Sequence, residues 1–208
     1  SYSDLDELII GSGYMKCAGT YDYTYYSTAK ETYYPYVHFM ADETEVRNTG
    51  TYDYYGESFL KMFYGFYTWQ KDVDKDHEGT VGWTENQDWI NLYKHINITN
   101  IILSQIDNQT IQTENDQRNV NRIKGEAHFL RGAYYFVLAN LYGKPYSSIS
   151  AKTDLAVPIK LTENIEDKVY TRATVEKTYE QVLEDLLTAE KHLKGQSRKS
   201  VTRAGHTA

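Results

Sequence analysis

The stretch from Arg118 to Tyr146, RNVNRIKGEAHFLRGAYYFVLANLYGKPY, decides the fold. Apolar residues recur at Ile123, Ala127, Leu130, Tyr134, Val137, Leu138 and Leu141, the three-and-four spacing that aligns side chains along one face of a helix. A second row, Phe129, Ala133 and Phe136, covers another face. A helix apolar over most of its circumference has to be surrounded by protein, so the spacing predicts a central helix. Gly143 is expected to end it as a left-handed C′ residue, and Pro145 forbids its continuation.

Working upstream, Thr84-Glu85-Asn86-Gln87 reads as a capping box. It opens a helical stripe of Trp89, Leu92, Tyr93, Ile96, Asn100, Leu103 and Ile106, with Trp89 assigned to the core. The polar run Asp107 to Asn119 separates this helix from the central one, so the two are expected to form an antiparallel hairpin of the tetratricopeptide kind. At the start of the chain, Ser3 reads as an N-cap with Asp6 at N3, and Leu5, Leu8 and Ile9 begin a short helix frayed by Gly11 and Gly13.

Downstream, Ser147 to Thr171 is a long connection containing Pro158, after which Thr174 caps a further helix. Its stripe is Val175, Tyr179, Val182, Leu186, Ala189 and Leu193, and Gly195 closes it. Between Tyr21 and Tyr67 the chain has no clear period, yet it carries twelve of the 21 tyrosines. Long loops in a compact domain are usually functional or disordered, and this aromatic density argues for function.

The central stretch resembles a known signature. Arg122-Ile123-Lys124-Gly125-Glu126-Ala127-His128-Phe129-Leu130-Arg131, then Tyr134-Tyr135-Phe136 and Leu141-Tyr142-Gly143-Lys144-Pro145, is similar to the GEA-FLRA-YYF-L-YG-P pattern of the SusD/RagB family. Gly132 stands where that family more often has Ala. The opening Leu5-Asp6-Glu7-Leu8-Ile9 helix and the run RATVEKTYEQVLEDLLTAEKHL, with Tyr179, Asp185 and Leu186, resemble other family segments.

The resemblance implies an all-α, tetratricopeptide-like superhelix with long irregular loops. It implies cell-surface capture of glycans for a SusC-like, TonB-dependent outer-membrane transporter, without catalysis or cofactor. The protein would then be an outer-membrane lipoprotein, anchored by a lipid on a cysteine upstream of Ser1. Trp83 to Gly143 would be a first helical hairpin repeat, and 172–208 the start of a second, with Thr202-Arg203-Ala204 opening its partner helix. The whole would form the N-terminal portion of a longer protein.

Composition narrows the ligand classes. The formal net charge of -7 argues against nucleic acid, because phosphate contacts need clustered Lys and Arg. With Cys17 as the one cysteine there is no intramolecular disulfide and no thiolate metal site. No window approaches the roughly 18 apolar residues of a helical membrane span.

A glycan site needs exposed aromatic rings for the C–H faces of sugars, beside groups that hydrogen-bond hydroxyls at fixed angles. Asp42, Glu43 and Arg47 provide the polar groups, and Met40-Ala41-Asp42-Glu43-Thr44 resembles the family's loop in which sugar-contacting polar residues precede binding aromatics. Tyr52, Tyr54, Tyr55, Trp69 and Trp83 provide the platform. Any single tyrosine is more often a packing residue than a ligand contact, but the set favours binding.

Other patterns carry less. Asp72, Asp74, Asp76 and Glu78 fit positions 1, 3, 5 and 7 of a calcium loop, but His77 stands where glycine is needed and Trp83 where a bidentate Glu is needed. A solvated acidic turn is the expected reading. Glu126 and Arg131 look like a dyad, and His128 lies beside them, but within a central helix ion pairing and packing fit them better than chemistry. There is no GxSxG, HExxH or phosphate-cradling glycine loop. The rival class is a tetratricopeptide adaptor gripping a peptide, which predicts short polar loops where this chain has long tyrosine-rich ones.

Overall fold

The structure, a computed structural model, describes residues 1–15, 40, 42, 64–73, 75 and 87–195. The chain divides into two compact units, one made of 1–15 with 92–208 and the other of 16–91. The described residues hold four α-helices: α1 (Tyr2–Leu8), α2 (Gln87–Ile106), α3 (Glu114–Tyr142) and α4 (Val175–Leu193). A π-helical turn, Ile9–Gly13, extends α1.

In the first unit, α3 is the central helix. Along α2 and α3, Asp107 meets Lys124, Asn100 meets Arg131, and the His95 and Tyr134 rings lie 5.5 Å apart. The numbers rise on one helix as they fall on the other, so the pair is antiparallel. The same holds for α3 and α4, where Gly125 faces Leu193, His128 faces Asp185, and Phe136 faces Tyr179. Ile123, Ala127, Leu130, Tyr134 and Leu138 of the predicted stripe are all buried, as are Leu92, Ile96 and Ile106 of α2.

Several local expectations change. α3 begins earlier than Asn119: Thr113 caps it, its side chain accepting from the Asp116 amide at 3.1 Å. The Asp116 carboxylate in return accepts from the amides of Gln112 and Thr113 at 3.1 and 2.9 Å. This capping box turns half of the supposed polar break into the first turn of the helix. At the N-terminus the same logic selects Ser1 as the cap, with Asp4 at N3, instead of Ser3 with Asp6. Asp6 is thereby free to reach Arg122 of α3, at 2.7 Å.

Gly143 does not adopt the left-handed conformation; its backbone is extended, at φ -90° and ψ 167°. Glycine is needed for space. A Cβ there would lie 2.6 Å from the Ala139 carbonyl oxygen and 3.1 Å from the Ala156 Cβ. Gly195 does take the left-handed form, at φ +78°.

On α4 the buried face keeps Val175, Val182 and Ala189 of the predicted stripe but leans to the side of Thr178 and Asp185. Val175, Thr178, Val182, Asp185 and Ala189 face inward, and Leu186, 36% exposed, lies at the edge of that face against Gly132. A carboxylate at the centre of that face is stabilised because α3 presents Arg131 and His128 to it. Phe129 and Phe136, expected to be enclosed, stay about half exposed, and Trp89 is only partly buried.

The connection after α3 is an ordered strap. The hydroxyl of Tyr93 donates to the Pro158 carbonyl at 2.6 Å, and the Asn100 amide donates to the Lys160 carbonyl at 3.0 Å. Tyr135 donates to the same Lys160 carbonyl and accepts from the Lys160 amide, both at 2.8 Å. The strap returns through antiparallel hydrogen bonds between Ala156 and Ala173 and between Ala173 and Val157.

Gly132 of α3 packs closely on α4, with a built Cβ 3.2 Å from Asp185 Cβ and 3.3 Å from Leu186. Gly132→Ala would gain about 1 kcal/mol of helix propensity while crowding that seam. We expect the two to offset, leaving the urea midpoint within the shift of about 0.5 kcal/mol typical of a neutral substitution; a loss of several kcal/mol would show that the seam cannot yield.

Candidate functional site

The aromatic platform expected from the sequence is described at one point, the turn around Trp69. Tyr64 to Tyr67 form a single helical turn, closed when the Thr68 amide donates to the Tyr64 carbonyl at 2.9 Å and the Gln70 amide to the Gly65 carbonyl at 2.8 Å. Gly65 is required here. A Cβ on it would sit 2.3 Å from the Val73 carbonyl oxygen, a backbone atom with nowhere to go.

The turn holds Trp69 at φ +55°, the single non-glycine residue with positive φ among the described residues. For a bulky side chain this conformation is unfavourable, on the order of 1 kcal/mol. It aims the indole outward, 69% exposed. Hydrophobic burial would draw such a ring inward, so an exposed Trp on a strained backbone is a binding-site signal.

Tyr67, two residues before Trp69, is also exposed. The sequence reading did not single it out. The signal available was Tyr64-Gly65-Phe66-Tyr67-Thr68-Trp69, where aromatics crowd a glycine turn.

Of the other expected site residues, Asp42 is exposed. Glu43, Arg47, Tyr52, Tyr54, Tyr55 and Trp83 lie outside the described residues, as does most of the tyrosine-rich run and Cys17. In the acidic turn, the Asp72 carboxylate accepts from Lys75 Nζ at 2.8 Å, an ordinary exposed pair, while Asp74, Asp76 and Glu78 lie outside the described residues.

The conspicuous polar residues of α3 serve a different end. Arg131 grips Asp185 with two bonds, Nε to Oδ2 at 2.9 Å and Nη2 to Oδ1 at 2.7 Å, and gives a third to the Asn100 side chain at 2.9 Å. His128 Nδ1 is 2.8 Å from Asp185, and the Gln181 amide donates to it at 3.2 Å. Burial by itself would raise the Asp185 carboxyl, but His128 and Arg131 outweigh it and hold the group below its usual value. Glu126 pairs with Arg122 at 3.1 Å, and Arg122 also meets Asp6. Glu126 and Arg131 thus belong to two separate ion-pair systems, the first tying α1 to α3 through Arg122 and the second tying both α4 and α2 to it.

The N-terminal segment is held by hydrogen bonds to the same helices. Tyr134 donates to the Gly13 carbonyl at 2.7 Å, and His95 Nδ1 lies 2.9 Å from the Ser12 carbonyl. Burial lowers the His95 pKa from the ordinary 6.5, with His192 lowered for the same first reason. A folded state that binds protons more weakly than the unfolded chain loses stability as pH falls. Unfolding midpoints should therefore drop once pH passes below the ordinary histidine value of 6.5, and again below 3.8 as Asp185 protonates. His95→Gln should shrink the first step in urea titrations at several pH values; an unchanged step would remove His95 as its source.

Comparison with known proteins agrees with this architecture. A family model described as SusD-like, starch-binding and associating with the outer membrane matches residues 26–208. A search of curated proteins gives no match. Among solved structures, the chain is 28% identical over 65% of its length to a Bacteroides vulgatus protein whose description gives sugar binding as its provisional role, with a TM-score of 0.54. SusD superfamily proteins from Bacteroides thetaiotaomicron and Bacteroides fragilis match at 21% and 23% identity, covering 92% and 90% of the chain, both at a TM-score of 0.58. These two likenesses show the fold alone. The chain spans 28% of the first of these structures and 37% and 38% of the others.

Proposed function

We propose a function on the premise that the chain belongs to the SusD-like family, a family of starch-binding proteins that associate with the outer membrane: it binds an oligosaccharide through its tyrosine-rich segment. The observation that carries this reading is Trp69, exposed and held outward by a turn that only Gly65 permits. An indole can stack on the apolar face of a sugar ring, and Tyr67 stands two residues away. Asp42, Glu43 and Arg47 would bond the flanking hydroxyls, and Tyr52, Tyr54, Tyr55 and Trp83 would extend the platform. Affinity in such a site comes from ring contacts and a few fixed hydrogen bonds, so no metal or organic cofactor is required.

The wider role follows the family. A surface lipoprotein, anchored by an upstream lipid, would present the bound glycan to a SusC-like, TonB-dependent transporter, with α2 to α4 as scaffold. The test is calorimetry of the full-length protein against malto-oligosaccharides, other glycans and peptides. Saturable binding of at least one glycan, without accumulation of reducing ends, is the expected result. Binding of peptides alone would replace this reading with the adaptor, and glycan cleavage would replace it with a hydrolase.

A further inference from the structure

Between Thr162 and Arg172 the strap runs as a loop whose two ends are fixed. At one end the Asn100 side chain donates to the Lys160 and Thr162 carbonyls, at 3.0 and 3.3 Å. At the other, Arg172 donates to the Tyr142 carbonyl at 3.1 Å, and the Ala173 amide donates to the Val157 carbonyl at 3.0 Å. Within the loop, the Tyr170 hydroxyl donates to Glu166 at 2.5 Å, and Lys168 Nζ lies 5.2 Å from the centre of the Tyr170 ring. These contacts brace the loop from inside.

Ile165 is fully exposed and Val169 is 89% exposed. Hydrophobic burial favours turning both inward, yet the braced loop presents them to solvent. A single exposed apolar residue is ordinary, but two β-branched side chains on one loop with a closed neck form a preorganised knob. Stiff at χ1, they lose little freedom when a partner encloses them. Glu163, Glu166 and Asp167 stand around them, and the one cation of the loop, Lys168, is engaged with Tyr170. The knob thus has an acidic collar. Carboxylates oppose burial in a lipid surface, where they would have no partner. They favour a protein pocket with an apolar floor and a basic rim.

We infer that this loop is a docking surface for the outer-membrane transporter, Ile165 and Val169 entering an apolar pocket there whose rim carries lysine or arginine. A β-barrel offers room for such a pocket among its long extracellular loops, and the family associates with the membrane that holds it. The inference rests on the transporter partner proposed above, and does not depend on what ligand is bound.

The test measures binding of the full-length protein to the purified transporter in detergent, by calorimetry at low and high salt. Ile165→Asp and Val169→Asp should each weaken binding about 10-fold or more, the scale of a hot-spot residue, with the urea midpoint unchanged. Glu163→Gln combined with Asp167→Asn should weaken binding at low salt and flatten its salt dependence. Wild-type affinity in both aspartate variants overturns the inference and leaves the transporter as a partner through another surface. No binding by the unaltered protein overturns the partner, and the inference with it. Binding to vesicles of phosphatidylethanolamine and lipopolysaccharide that Ile165→Asp abolishes also overturns the inference, since the loop would then be a lipid contact. Glycan binding by the same samples is read separately, so the glycan reading and the docking surface fail independently.

Discussion

Arg131→Ala should destabilise the protein by about 3–5 kcal/mol, the cost of removing one member of a buried ion pair. The substitution takes the guanidinium from the Asp185 carboxylate, 1% exposed between α3 and α4 and left with only His128 and Gln181, and leaves the Asn100 carbonyl without its donor. It therefore loosens both interhelical seams at once. Urea denaturation is the measurement. A loss under about 1 kcal/mol, the scale of a surface pair, would mean that water reaches Asp185 in solution.

The double variant, Arg131→Met with Asp185→Leu, separates pairing from packing. It removes both charges, so it should cost less than the sum of the two single variants, with a coupling of about 1–3 kcal/mol. Recovery should be incomplete. His128 and Asn100 would still lose partners, and each buried polar group left unpaired costs about 1–3 kcal/mol.

Trp69→Ala should weaken glycan binding by roughly 2 kcal/mol, about 30-fold in Kd, the scale of an aromatic hot spot. Its effect on folding should be small, because the indole is 69% exposed and replacing a residue at φ +55° loses little packing. Gly65→Ala reports on the same site by another route. It leaves the ring in place but forces the turn open against Val73, so affinity should fall although no contacting group has been removed. Calorimetry on the full-length protein reads both variants. Wild-type affinity in Trp69→Ala would move the site away from this turn.

The two kinds of residue were not equally legible in the sequence. Helix periodicity depends on neighbours three and four positions apart, so Ile123, Leu130 and Leu138 could be assigned to a core before any partner was known. Site residues on irregular backbone have no such period. Trp69 could be nominated from its type, but Tyr67 could not be told from the tyrosines that pack, because exposure depends on how a turn closes. Glu126 and Arg131 looked like partners because they lie close on one helix, whereas each bonds elsewhere.

The amino-acid sequence by itself determined the family, the all-α class, the central place of α3 and the caps at Thr174 and Gly195. The family follows from its signature residues, and the other features from local spacing or from one residue's backbone preferences. Tertiary structure decided the rest. It put a carboxylate, Asp185, on the inward face of α4 beside the predicted stripe, because Arg131 and His128 of α3 bond it there and Asn100 of α2 holds Arg131 in turn. It made Gly143 a matter of close approach to Ala156 instead of handedness, and it left Phe129 and Phe136 open along the α3–α4 seam. These outcomes depend on which elements cross and at what distance, and a one-dimensional pattern carries no information about either.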